Sequence, residues 1–484
     1  METTQPLFCM HAVSGRVPTY NHGMKRDLHI FIGPAVATAL FCILFLCQLG
    51  WPVSITAAVT CLVAWWWVTE PISIPATSLI PLSIFPLLGI IDAKDAALAY
   101  GSPLVQLMFG GFLLSAAMEH SGAHRRIALM MVNLCGASSG RRLVLGFMAA
   151  SAVLSMWISN AATTLMLLPI VMAVVDQSSN SRFQKALLFG VAYAASIGGI
   201  ATPIGTPPNL VFMEVYKLQT GEQFTFLGWM LFALPIAAMM LPIAWLWLTR
   251  SIKSEVSVVL PEVGQWRSEE IRVLSIFAVT ALLWVTRQQP FGGWSELTGL
   301  TGANDAAIAL LGAGVMFVFP SGKKAEDGGA LRLLDWETAR TIPWGILILF
   351  AGGICIAKAF GSSGLSALLG SSFEGLGSVP VLILVLLICF SVTFLTELTS
   401  NTATATLLMP ILAAVALSNE IDPRVLMIPA TISASFAFML PVATPPNAIV
   451  FGSERISVNE MVREGLMLNL IGVAIVSVYC YSVL

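Results

Sequence analysis

"MWISNAATTLMLLPI" runs from Met156 to Ile170, and "LTSNTATATLLMPI" runs from Leu398 to Ile411. Both carry Ser-Asn-x-Ala-Thr followed by a Pro-Ile pair: Ser159–Thr163 with Pro169 and Ile170, then Ser400–Thr404 with Pro410 and Ile411. Each polar plug lies in the middle of an apolar segment, 143–175 or 379–417, long enough for two short helices rather than one crossing. Irregular backbone at membrane depth is tolerated only where protein or a wet cavity surrounds it. The economical reading is two re-entrant hairpins, each turning at its Ser-Asn.

Composition sets the wider frame. The 484-residue chain is 57% hydrophobic and 10% charged, with mean hydropathy +0.85; soluble domains carry roughly 25% charged residues. Apolar windows predict about eleven membrane helices, near 28–49, 51–69, 75–92, 103–120, 184–215, 226–249, 269–287, 303–320, 343–360, 424–452 and 461–483. The net charge of −2 offers no footprint for a nucleic-acid partner. The eight cysteines are scattered and form no CxxC pair, which excludes a disulfide framework or a zinc motif.

Residues 1–27 read as a polar cytosolic tail leading into a retained helix, with no cleavage site close behind the first apolar run. With the N-terminus inside and both hairpins re-entrant, eighteen Lys and Arg fall in inner loops, among them Arg125, Arg126, Arg141 and Arg142. Only Lys94, Lys217, Arg287, Lys358 and Arg424 fall outside. That bias obeys the positive-inside rule. It opens the first hairpin to the cytosol and the second to the outside, and places the C-terminus outside. Short loops and the lack of any N-x-Ser/Thr sequon suit a plasma or bacterial inner membrane.

The halves repeat. "FGGFLLSAAMEHSG" (109–122) matches "AGGICIAKAFGSSG" (351–364), the Ser-Asn plugs follow, and "TPIGTPPN" (202–209) matches "LPVATPPN" (440–447). Three blocks in one order, starting from opposite sides, predict inverted repeats. We therefore divide the chain into a first helix with the first repeat (28–250, hairpin 143–175, broken helix 184–215) and a second repeat (251–484, hairpin 379–417, broken helix 424–452). Transporters of this architecture bind substrate near the midplane, at the repeat interface.

The chemistry follows from the interruptions. Pro removes an N–H and clashes with the preceding turn, so each Thr-Pro-Pro-Asn breaks its helix and frees carbonyls. Those carbonyls, with Ser, Thr and Asn oxygens, are hard ligands suited to sodium. The helix starting at each plug aims unpaired N–H groups at the tip, an end suited to an anion. No Lys or Arg lies in either plug or either TPPN turn, so an anion there needs dipoles and a co-bound cation. Small residues also serve tight helix packing; two plugs, each followed by a TPPN break, weigh against packing alone. No cluster of nucleophile, acid, base or metal ligands recurs near the plugs, so an enzyme is not expected. Glu397, inside the second hairpin, is a candidate for ordering the hairpin or for cation coupling. Glu70, near a helix end, reads as structural.

At these residues the chain resembles the divalent anion:sodium symporter family of sodium-coupled dicarboxylate, citrate and sulfate carriers. Ser159-Asn160-Ala161 and Ser400-Asn401-Thr402 match the family's Ser-Asn-Thr motif, and "ASFAFMLPVATPPNAIV" (434–450) matches its second broken helix. The resemblance implies a homodimer moving substrate by an elevator mechanism. It implies one sodium site at Ser155, Ser159, Asn160 and the backbone of Gly205, and another at Thr396, Thr399, Asn401 and the backbone of Ala443. Substrate would touch both motifs, with Thr206, Pro207, Thr444 and Pro445 nearby. Ala161 departs from the motif's Thr and lacks its hydroxyl. The expected activity is sodium-driven import of a small divalent anion, a C4-dicarboxylate such as succinate, malate or fumarate. Sulfate or citrate symport and sodium-independent dicarboxylate exchange are the alternatives.

Overall fold

The computed structural model describes residues 22–136, 139–252, 258, 260–288, 292–324, 328–373, 375 and 379–484. The first 21 residues of the expected tail lie outside these. Helix α1 (His22–Leu46) starts within the expected tail.

The chain continues through α2 (Trp51–Thr69), α3 (Ile74–Leu87), α4 (Ala93–Tyr100), α5 (Pro103–Ser121) and α6 (Ala123–Cys135). Then come α7 (Gly140–Ser155), α8 (Asn160–Val175), α9 (Ser181–Gly199), α10 (Pro207–Thr220) and α11 (Phe226–Thr249). Next are α12 (Ser268–Val285), α13 (Gly293–Leu297), α14 (Asp305–Val318), α15 (Trp336–Ala339), α16 (Trp344–Ser363) and α17 (Leu365–Ser372). The last five are α18 (Val381–Thr396), α19 (Asn401–Ser418), α20 (Pro423–Ser433), α21 (Pro445–Phe451) and α22 (Val458–Val483).

Seven stretches of described helix are long and apolar enough to cross a membrane, and four shorter helices are apolar. The expectation of about eleven crossings differs because several are short or interrupted: α3 and α14 have only 14 residues each. The all-α expectation also needs correction. A two-stranded antiparallel ribbon, β1 (Pro320–Lys324) with β2 (Ala330–Arg332), lies between α14 and α15. The amphipathic helix α6 was not expected either. Its buried Arg126 donates to Glu270 at 2.7 Å and so ties it to α12.

The matched sequence blocks adopt matched structure. Gly122 (φ 75°) ends α5 and Gly364 (φ 85°) ends α16, both left-handed, where glycine carries no Cβ penalty. The helix pairs α7–α8 and α18–α19 each turn at a Ser-Asn. Pro207-Pro208 and Pro445-Pro446 open α10 and α21, where a missing N–H costs nothing. The halves interlock: α8 packs on α21, and α19 packs on α10.

Candidate functional site

Helix α7 stops at Ser155, and α8 restarts at Asn160 behind the N-cap Ser159, whose Oγ accepts from the Ala162 N–H at 3.2 Å. The fully buried Ser155 donates its hydroxyl to Asn160 Oδ1 at 2.5 Å. The same end of that amide faces the carbonyls of Ala195 and Gly205. Turned over, its NH2 would meet them at 3.2 and 3.3 Å. Four oxygen-bearing groups thus converge on one point, an arrangement satisfied by a rotated amide or by a small cation. Glycine is required around it. A Cβ on Gly199 would stand 2.5 Å from Asn160 Oδ1, and one on Gly205 would stand 2.9 Å from the Ser155 carbonyl.

The second half repeats the motif. Thr396, also fully buried, points its hydroxyl at Asn401 Oδ1 (2.8 Å) and at the Ala434 carbonyl (3.0 Å). Thr399 Oγ1 lies 2.6 Å from Thr404 Oγ1 and 3.0 Å from the Leu395 carbonyl. The carbonyl in this cluster belongs to Ala434, where α20 ends. Ala443 stands at the far end of the break, on the cavity wall.

The breaks are stitched by the Asn of each TPPN. Asn209 donates its side-chain amide to the carbonyls of Gly199 (3.1 Å) and Thr202 (2.7 Å), and Asn447 donates to Ala437 and Leu440 (both 3.0 Å). Sequence reading offered Asn oxygens as ligands; in these two residues the amide nitrogen does the structural work. Each break is also tied to its hairpin. Thr202 donates its hydroxyl to the Met156 carbonyl, and Glu397 accepts from the Met439 and Leu440 N–H groups at 2.8 and 2.9 Å.

Both tips and both breaks line one cavity of about 640 Å³. Ser159, Asn160 and Ala161 contribute from the first tip, and Thr399, Ser400, Asn401 and Thr402 from the second. Gly205, Thr206 and Pro207 line it from the first break, and Ala443, Thr444 and Pro445 from the second. Of the sodium and substrate residues that the family resemblance implies, only Ser155 and Thr396 do not reach the wall; they lie behind the Asn side chains, and Glu397, Asn209 and Asn447 also stand off the wall. The first residues of α8, α10, α19 and α21 all face this space, so four helix N-termini converge there, those of α8 and α19 with backbone N–H groups at their first positions and those of α10 and α21 with prolines. The opposite wall comes from the α2–α3 turn, α5 and the start of α16, including Pro75, Phe112 and Ile346. Glu70, in a left-handed turn at φ 43°, is the one charged residue on the wall. The sequence marks Glu70 as structural; its place on the wall is set by tertiary packing, which brings that helix end to the cavity.

An apolar bundle whose interrupted helices bring their polar ends to one shared, largely apolar cavity has the build of a polytopic membrane transporter. A family model described as the sodium:sulfate symporter transmembrane region matches residues 34–482. The chain is 37% identical over 446 aligned positions, 88% of its own length and 85% of the relative's, to the sodium-dependent dicarboxylate transporter SdcS of Staphylococcus saprophyticus. It is 36% identical to SdcS of Staphylococcus aureus, covering 98% of this chain and 95% of that one. The chain belongs to the sodium:sulfate symporter family. Solved structures share its fold at low identity. The YdaH transporter of Alcanivorax borkumensis aligns with TM-score 0.58 at 14% identity, over 83% of this chain and 88% of that chain. Neisseria gonorrhoeae MtrF aligns with TM-score 0.55 at 12% identity, over 82% and 83%.

Proposed function

We propose that this protein is a sodium-coupled symporter that imports a small divalent anion, most simply a C4-dicarboxylate. The observation that carries the reading is the meeting of the two Ser-Asn tips at one cavity, each with an oxygen cluster directly behind it. Sodium ions in the clusters would stand behind Asn160 and Asn401, and the anion would lie in front, against the helix N-termini. Family membership and the sodium-dependent dicarboxylate transporter relatives support the same pairing of cation and anion.

The order of events follows from charge. The wall holds no Lys or Arg and one carboxylate, so a dianion without bound cations meets net repulsion. Cations bind first, the anion second, and the neutralised assembly moves. Under the positive-inside topology, Glu70 and Pro343 lie towards the cytosol, and the cavity opens inward. Inverted repeats belong to the same proposal and rest on the three matched blocks and the charge bias; an elevator-like movement and a homodimer rest on the family resemblance.

The test is radiolabelled succinate uptake into proteoliposomes under an inward sodium gradient, compared with potassium and with a proton gradient. Sodium-dependent accumulation is expected. Failure to accumulate or compete for succinate would move the substrate to sulfate or citrate. Sodium-independent counterflow would make the protein an exchanger and remove the cation role from both clusters.

A further inference from the structure

Glu397 is buried, with 3% exposure, in the turn between α18 and α19. Its carboxylate accepts from Met439 N–H, Leu440 N–H and the side-chain amide of Asn469 at 2.6 Å. All three donors are neutral, and no Lys, Arg or His forms an ion pair with it among the described residues. A buried carboxylate that is hydrogen-bonded but lacks a counter-charge is expensive in a low-dielectric setting. The next residue toward the N-terminus is Thr396, whose hydroxyl belongs to the second oxygen cluster.

The first half differs at this point. Met156 follows Ser155 as Glu397 follows Thr396. There the tether to the break is a hydroxyl on a carbonyl, Thr202 to Met156, and it carries no charge. Each cluster has a hydroxyl, an Asn amide and at least one backbone carbonyl, the first with those of Ala195 and Gly205 and the second with that of Ala434; Glu397 apart, neither has a charged group among the described residues.

We propose that Glu397 is a positioning residue for the second cation, and that its fixed charge makes the Thr396–Asn401–Ala434 cluster the tighter of two unequal sodium sites. A sodium ion there supplies the missing counter-charge, and its attraction to Glu397 adds to the ligand contacts. The first cluster has no such contribution. Glu397 itself touches neither cation nor anion; its charge acts on the cation from behind Thr396, while its hydrogen bonds to the Met439 and Leu440 N–H groups hold it at that place. This inference rests on the symport reading above.

The experiment uses the purified full-length protein and titrates sodium with two readouts, thermal unfolding in detergent and succinate uptake. Glu397→Gln is expected to raise half-saturating sodium about tenfold or more and to flatten the cooperative sodium curve. Half-saturating succinate, measured at saturating sodium, should change by about twofold or less. Glu397→Asp retains the charge and should keep its sodium curve near that of the unmodified protein. Asn469→Ala removes only a tether, so it should lower the melting temperature without moving the sodium midpoint. Loss of stability in Glu397→Gln with an unmoved sodium curve would reduce the residue to a structural clamp and overturn the proposal. So would Glu397→Asp behaving like Glu397→Gln. If Glu397→Gln does not fold, Thr396→Ala and Ser155→Ala decide: a larger rise in half-saturating sodium for Thr396→Ala supports the proposal, and an equal or smaller rise overturns it. Sodium-independent uptake by the unmodified protein would bring down the symport reading and this inference with it. Sodium-coupled uptake with an unmoved Glu397→Gln curve brings down this inference alone.

Discussion

Asn209 donates its side-chain amide to the Thr202 carbonyl at 2.7 Å, seven residues back across the break, and Asn447 bridges to Leu440 in the same way at 3.0 Å. A broken helix inside an apolar bundle must pair its freed carbonyls or lose about 1–3 kcal/mol for each. Asn209→Ala and Asn447→Ala should therefore each lower the melting temperature in detergent, even without sodium. Unchanged melting in both variants would mean that the breaks are held by packing alone.

The glycines at the first cluster make a steric prediction. Gly199→Ala places a methyl group 2.5 Å from Asn160 Oδ1, and Gly205→Ala places one 2.5 Å from the Gly199 carbonyl. Neither contact can be relieved without moving the tip away from the break. Both variants should lose uptake and lose sodium-dependent protection from thermal unfolding. Gly361→Ala, at an exposed helical position with open space around it, should transport normally. Wild-type uptake by Gly199→Ala would show that Asn160 is not fixed at a transport site.

Ser155 and Asn401 test the two roles separately. Ser155 is sealed behind the wall, so Ser155→Ala should weaken sodium dependence while leaving succinate half-saturation at high sodium nearly unchanged. Asn401 faces both cluster and cavity. Asn401→Ala removes a contact to a charged group worth about 1.5–3 kcal/mol, roughly tenfold to a hundredfold in affinity. Uptake should be abolished at low substrate, with folding intact by size-exclusion chromatography. Normal transport by Asn401→Ala would remove the second tip from the site.

Local chemistry made much of this arrangement readable. Helix α11 occupies Phe226–Thr249, the apolar window itself. The breaks end at the TPPN prolines, which open α10 and α21, but they begin earlier than those residues predict, after Gly199 and Ser433; the tips fall at the Ser caps. Helix α6 gives no span signal because its 13 residues carry His124, Arg125 and Arg126 in the first turn and are too short to cross. The β1–β2 ribbon hides in a charged loop without alternation. The carbonyls of Ala195 and Ala434 could not be read at all, since every residue supplies a carbonyl and only the fold aims it. The same holds for Glu70 and Asn469, whose roles depend on elements distant in sequence.

Ala161 lies on the cavity wall beside Asn160, with a methyl group where the second tip has the Thr402 hydroxyl. Ala161→Thr restores a donor at that position and should tighten binding of a dicarboxylate by up to about tenfold. The check is succinate half-saturation in proteoliposomes, with sulfate and citrate as competitors. If no anion's affinity changes, the third position of the first tip does not contact substrate.

Glu70 is the fixed negative charge on a wall proposed to receive anions, and it has no side-chain hydrogen bond or ion pair among the described residues. Coulomb repulsion grows with the charge of the ligand. Removing it with Glu70→Gln should therefore lower half-saturation most for a trianion such as citrate, less for succinate and least for a monoester. The gain should shrink as ionic strength rises, because charges at an open cavity are screened. A purely structural role in the left-handed turn would shift all three ligands equally, without regard to salt. Glu70→Asp supplies the control: it keeps the charge and should preserve the wild-type order of substrates. An equal shift for all three anions in Glu70→Gln would remove Glu70 from substrate selection and leave it as the cap of α2.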